Sequence, residues 1–178
     1  MVGGMGASRI ETAEGALKRL GIVLPPAPSP LGAYVPAVQS GALLFLSGMV
    51  PVVNGKPHLP GRIGAGLTVD QGREATRIAA LNALAAARAH LGILDRITRV
   101  IRLAVFQVAT DTFREHAVVA DAASELFRDI FGVEMSHSRL VTGITSLPHG
   151  LCAARSDLRS RGEVNWSRFE LRVDWLLR

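Results

Sequence analysis

Residues 68–92, TVDQGREATRIAALNALAAARAHLG, decide how the chain is read. Thr68 and Gln71 stand at the spacing of a capping box, in which each side chain satisfies a backbone N–H left open by the first helical turn. Gly92 stands where a helix end favours a residue without a Cβ. Between them Ala75, Ile78, Ala79, Leu81, Leu84 and Ala85 line one stripe, so the segment predicts a long amphipathic helix with an apolar face turned to a core. The alanines in that stripe let a helix lie close against a sheet.

The flanks supply the sheet. Upstream, VPAVQSG and ALLFLSG read as two strands turning at Ser40–Gly41, and VVNGKPH carries the Asn54–Gly55 pair favoured in two-residue hairpins. LPPAPSPLGAY, with four prolines between Pro25 and Pro30, reads as an extended lead into the first strand. Before it, IETAEGALKRL (10–20) places Ile10, Ala13, Leu17 and Leu20 on one helical face, ending at Gly21. Downstream, ITRVIRLAVFQVA is a strand, DTFREHAVVADAASELFRDIFG a second amphipathic helix and SRLVTGITSL a further strand. The order is βββ-α-β-α-β, an α+β domain with helices gathered on one face of a mixed sheet.

The 178 residues suit one domain with a real core, and 48% hydrophobic against 20% charged composition predicts a folded chain. The apolar run GALLFLSGMVPVV is broken well short of the roughly 20 residues that span a bilayer, so no membrane partner is expected. The start lacks the order of a secretory signal, and the single cysteine, Cys152, has no second cysteine in the sequence to pair with; a cytoplasmic location is the expectation. The net charge of +5 is dispersed, without interleaved aromatics, which disfavours nucleic acid. The five histidines show no metal-ligand spacing. LSGM around Ser47 is not a nucleophile elbow, and GRIGAG (61–66) departs from the dinucleotide fingerprint and reads as a turn.

Three polar residues sit at strand boundaries: Tyr34, Ser47 and Arg139. On pattern alone they are a half-buried ring, a strand-end serine and a surface charge. Two motifs give them a second reading. LGAYVPAVQSGALLFLSGMVPV resembles the first signature of the RidA/YjgF family, and RLVTGITSLPHG resembles its second, an arginine before a strand ending in Leu-Pro. The likeness runs from about Leu20 to Gly150 and includes the capped helix with its central Asn82.

That resemblance implies a chorismate-mutase-like fold, a homotrimer with clefts between subunits, and hydrolysis of reactive enamine and imine intermediates, 2-aminoacrylate and 2-iminopropanoate, to 2-oxo acids and ammonia. It implies no cofactor and no metal. The partner would be a small carboxylate substrate. By position, Arg139 and Ser47 would be catalytic, with Arg139 forking the substrate carboxylate, while Tyr34, Gly48, Asp121 and Val141 would line the substrate site. A planar guanidinium matches a carboxylate through two parallel hydrogen bonds. A trimer that binds a carboxylate metabolite without turning it over is the alternative.

The chain departs from the family pattern at three positions. Met49 replaces a glutamine, Asp121 stands where an asparagine is usual and would repel an anion, and Ala154 occupies the place, fifteen residues after Arg139, of a glutamate thought to position water. Past Gly150 the expected last strand is not recognisable, and residues 151–178 read as an atypical tail with six arginines and both tryptophans. GLCAARSDLRSRGEVN (150–165) can be encoded so that loss of one G makes the same bases read GCAPLEVTFEVEVK and then stop, an alternating strand. A one-base slip would thus leave the sheet without its last strand; a genuine extension, with WSRFELRVDWLL as a substitute strand, is the other reading.

Overall fold

The computed structural model describes residues 11–161. Helix α1 (Ala13–Arg19) is capped by Thr12, whose hydroxyl accepts from the Gly15 N–H, and it buries Ala13, Ala16 and Leu17. The proline segment that follows has no strand partner among the described residues and leads into strand β1 (Ala37–Ser40), which turns at Gly41 into β2 (Leu43–Leu46). Strands β3 (Val52–Val53) and β4 (Lys56–Pro57) form a separate two-stranded ribbon around Asn54–Gly55, both at positive φ as that turn requires.

Helix α2 (Val69–Leu91) has the predicted cap at both ends: Thr68 and Gln71 exchange hydrogen bonds, and the Gly92 N–H reaches back to Arg88. Then come β5 (Ile97–Val108), α3 (His116–Phe131), β6 (Ser138–Ile144) and β7 (Ala153–Ser160). Helix α3 starts at His116, later than its sequence pattern begins, because residues 111–115 turn and lead into it. The main sheet has the order β1-β2-β7-β5-β6, with β5 and β6 parallel and every other pair antiparallel.

The core lies between one face of this sheet and the two long helices. Leu44, Leu46, Val100, Leu103, Val105 and Leu158 from the strands meet Ala79, Ala83, Leu84, Ala120, Ala123, Leu126 and Phe127 from α2 and α3. The alanine stripe is what permits this approach; near the start of α2, Gly72 leaves room for Ile63 of a second, smaller cluster, since a Cβ there would lie 2.8 Å from Ile63 Cδ1. The opposite sheet face is open, with Val38 and Phe45 directly paired across β1 and β2 and both exposed. Among the described residues no helix is long and apolar enough to cross a membrane.

The structure differs from the sequence reading after Gly150. Residues 153–160 do form a strand, and it occupies an interior place in the sheet, paired with β2 on one side and β5 on the other. Partners on both edges order a segment whose own residues, AARSDLRS, have weak strand preference. The proposed boundary at Gly150 therefore does not mark where the sheet ends. The strand nonetheless fits poorly: among the described residues Ser156 Oγ is buried without a hydrogen-bond partner, and buried Asp157 Oδ1 has only Arg155 Nε, at 3.6 Å. The expected WSRFELRVDWLL segment lies outside the described residues.

Candidate functional site

Arg139 lies near the start of β6, an edge strand of the sheet, opposite Leu103 of β5. Leu103 faces the core and helices, so Arg139 is directed toward α3, where Asp121 and Ser124 are three residues apart and share a helix face. Its Nη1 donates to Asp121 Oδ1 at 2.5 Å and to Ser124 Oγ at 3.1 Å. Ser124 Oγ is also 3.1 Å from His137 Nε2. Burial and, secondarily, the Arg139 charge push the His137 pKa below its usual value. Asp121, Ser124, Arg128, Ser136, His137 and Arg139 line a polar cavity of about 410 Å³, together with Glu125, which is paired with Arg73 at 2.7 Å.

Tyr34 and Gly48 line a different cavity, of about 710 Å³, walled by the proline segment, the β3–β4 ribbon and α2. Tyr34 is exposed, and its hydroxyl accepts from the Leu31 N–H at 3.1 Å, bracing the proline segment. Ser47 lines neither cavity; its hydroxyl donates to the Val35 carbonyl at 2.7 Å and so fixes the turn between Tyr34 and β1. Val141 packs on the core rather than into either cavity. Within one chain, then, Arg139 is grouped with Asp121, and Tyr34 with Gly48, in two pockets that share no lining residue.

Three residues matter more here than the sequence indicated. Asn82 is buried on α2, and its amide donates to the carbonyls of Val50 (2.9 Å) and Val52 (3.1 Å), holding the floor of the larger cavity. Asparagine in an alanine-rich helix was the available signal. His149, at φ 60°, reaches that cavity from the turn before β7. Ser124 joins Arg139 to His137, which no sequence spacing announced. The departures at Met49 and Ala154 meet: each backbone N–H donates to the other's carbonyl, at 2.8 and 2.9 Å, and both residues are buried.

The comparisons agree with this architecture. Residues 14–154 match the family described as "YjgF/chorismate_mutase-like, putative endoribonuclease". Protein TCP17 of Trypanosoma cruzi is 42% identical over 135 residues, covering 75% of this chain and 84% of that protein. A candidate endoribonuclease from Shewanella oneidensis superposes with a TM-score of 0.80 at 34% identity, over 83% of this chain and 99% of its own. Atu1372 of Agrobacterium tumefaciens gives 0.77 at 33%, over 85% and 94%. Sheet order, helix placement, both signature segments and these likenesses converge: the chain belongs to the YjgF/chorismate-mutase-like family.

Proposed function

We propose that the protein hydrolyses small 2-imino acids to 2-oxo acids, using Arg139 to hold the substrate carboxylate. The observation that carries this reading is the arginine on the edge strand, directed into a polar cavity with a hydroxyl and an imidazole beside it. Water adds to the protonated C=N carbon; the resulting carbinolamine loses nitrogen as ammonium, leaving the 2-oxo acid. An iminium carbon is already electrophilic, so orienting it beside one water supplies much of the rate. The RNA cleavage named in the family description is not extended to this chain, whose basic excess is dispersed.

Tyr34, Ser47 and Gly48 join this site only if a second copy brings them to Arg139, since one chain keeps the two pockets separate. A homotrimer with the active cleft between subunits satisfies that requirement, and the exposed Val38, Leu43, Phe45 and Leu140 offer apolar area for it. In this arrangement Tyr34 closes the cleft, and Ser47 and Gly48 flank the reacting carbon.

Ala154 favours a second reading, a carboxylate-binding protein without turnover, because a buried alanine stands where a carboxylate would position the water. One assay separates them. 2-Iminopropanoate is generated in the presence of a scavenging amine, and pyruvate release is followed with and without the protein. The hydrolase reading expects diversion to pyruvate that Arg139→Ala abolishes. Saturable binding of 2-oxo acids without diversion establishes the binder, and equal rates for wild type and Arg139→Ala overturn the role of that residue.

A further inference from the structure

We propose that Asp121 makes the Arg139 site selective for a ligand carrying a positive nitrogen beside its carboxylate, an α-imino or α-amino acid, over a plain 2-oxo acid. This rests on the reading of Arg139 as the carboxylate anchor. Among the described residues, both Arg139 side-chain bonds leave from Nη1. The Nε–Nη2 edge of the same guanidinium presents two parallel donors, enough for a side-on carboxylate. Asp121 bonds Arg139 through Oδ1, and its side chain is 44% exposed at the cavity. A cation placed next to the bound carboxylate meets the free oxygen of Asp121.

The charges of the cavity point the same way. Glu125 is committed to Arg73, so at the anchor itself Arg139 and Asp121 stand side by side, and a zwitterion finds one group of each sign there. Held against a carboxylate, an imine nitrogen keeps its proton, and the charged nitrogen draws electron density from the carbon that water attacks. The residue that looked repulsive in sequence thereby becomes a selector for substrate over product.

The test is calorimetric titration of L-alanine and pyruvate, which share a carbon skeleton, into the full-length protein at pH 7. Wild type is expected to bind alanine at least tenfold more tightly than pyruvate, and Asp121→Asn, which keeps the shape and removes the charge, to cancel or reverse that ratio. An unchanged ratio in Asp121→Asn overturns the inference while leaving the anchor intact. Arg139→Ala reports on the anchor itself: loss of both ligands upholds it. Unchanged affinity for both, or no binding of either by wild type, fells the anchor and this inference together.

A second inference comes from a different place, strand β7. The geometry points to a one-base slip in the coding sequence at Gly150. The alternative reading GCAPLEVTFEVEVK puts leucine, valine, phenylalanine and valine at positions 154, 156, 158 and 160, and all four positions are buried. It puts glutamates at 155, 159 and 161, all exposed. The present residues fit the same places less well: Ser156 buries an unpaired hydroxyl, and Arg159 stands directly opposite Arg99, a like-charge pair that a glutamate would turn into an attraction.

Sequencing the coding DNA and comparing the chain with one ending in GCAPLEVTFEVEVK from position 150 tests this. The slip is upheld if deletion of one base yields that reading and the altered chain melts at least 5 °C higher. A coding sequence that admits no such reading, or an altered chain that is less stable, overturns it.

Discussion

Ser156→Ala is expected to stabilise the protein, the reverse of what most substitutions in a buried strand do. Ser156 is 1% exposed, sits opposite Leu103 in the interior of the sheet, and its Oγ has no hydrogen-bond partner. Burying an unpaired hydroxyl costs about 1–3 kcal/mol, and alanine removes it without adding volume. Against this stands a weaker strand preference and a lost oxygen's worth of packing, each worth a few tenths of a kcal/mol. The net gain is about 1 kcal/mol, which raises Tm by roughly 2–4 °C in a domain of this size. Urea unfolding followed by far-UV circular dichroism measures it, with the slope unchanged and the midpoint raised. A lowered midpoint refutes the reasoning, because it means the hydroxyl is satisfied and β7 is not the poorly matched strand argued above.

Asn82→Ala removes both amide bonds to the Val50 and Val52 carbonyls and is expected to cost about 2–3 kcal/mol, with faster amide exchange in residues 48–55 than elsewhere. His137, whose pKa is pushed down by burial, takes up a proton more readily when unfolded. Its contribution is fully present above the unfolded value and is lost as pH falls through and below it. His137→Asn is therefore expected to lessen the fall in stability from pH 7 to pH 5, read from urea midpoints. Cys152 is buried, and that burial pushes its thiol up to about 11, so Ellman's reagent at pH 8 is expected to label it only on the timescale of unfolding. Labelling within seconds of mixing contradicts that placement.

Local chemistry was legible where it acts within a few residues. The Thr68–Gln71 box, the Asn54–Gly55 turn, the turn at Gly41 and the proline lead-in all announce themselves by contacts spanning one to four positions. β7 escaped because its order comes from β2 and β5, with even the nearest paired residues, Phe106 and Ala153, far apart in sequence, and its buried alanines and serines carry little hydrophobic signal. The site divides the same way. Arg139 was visible as a charge before an apolar strand, but its pairing with Asp121 was not, since an ion pair across eighteen residues has no signature in spacing. The separation of Tyr34 from Arg139 into two pockets likewise follows only from the packing of the proline segment against α2.

The interior place of β7 sets a timetable for making the protein. Among the described residues, the β1–β2 hairpin and the β5–β6 pair join one sheet through β7, residues 153–160. At about 5–20 residues per second of translation, the ribosome needs roughly 6–23 s to travel from the end of β2 to the end of β7. Throughout that interval the Leu43–Leu46 edge waits without its neighbour, an apolar template open to any passing strand. Chaperone dependence in the cell should therefore track how quickly residue 160 emerges.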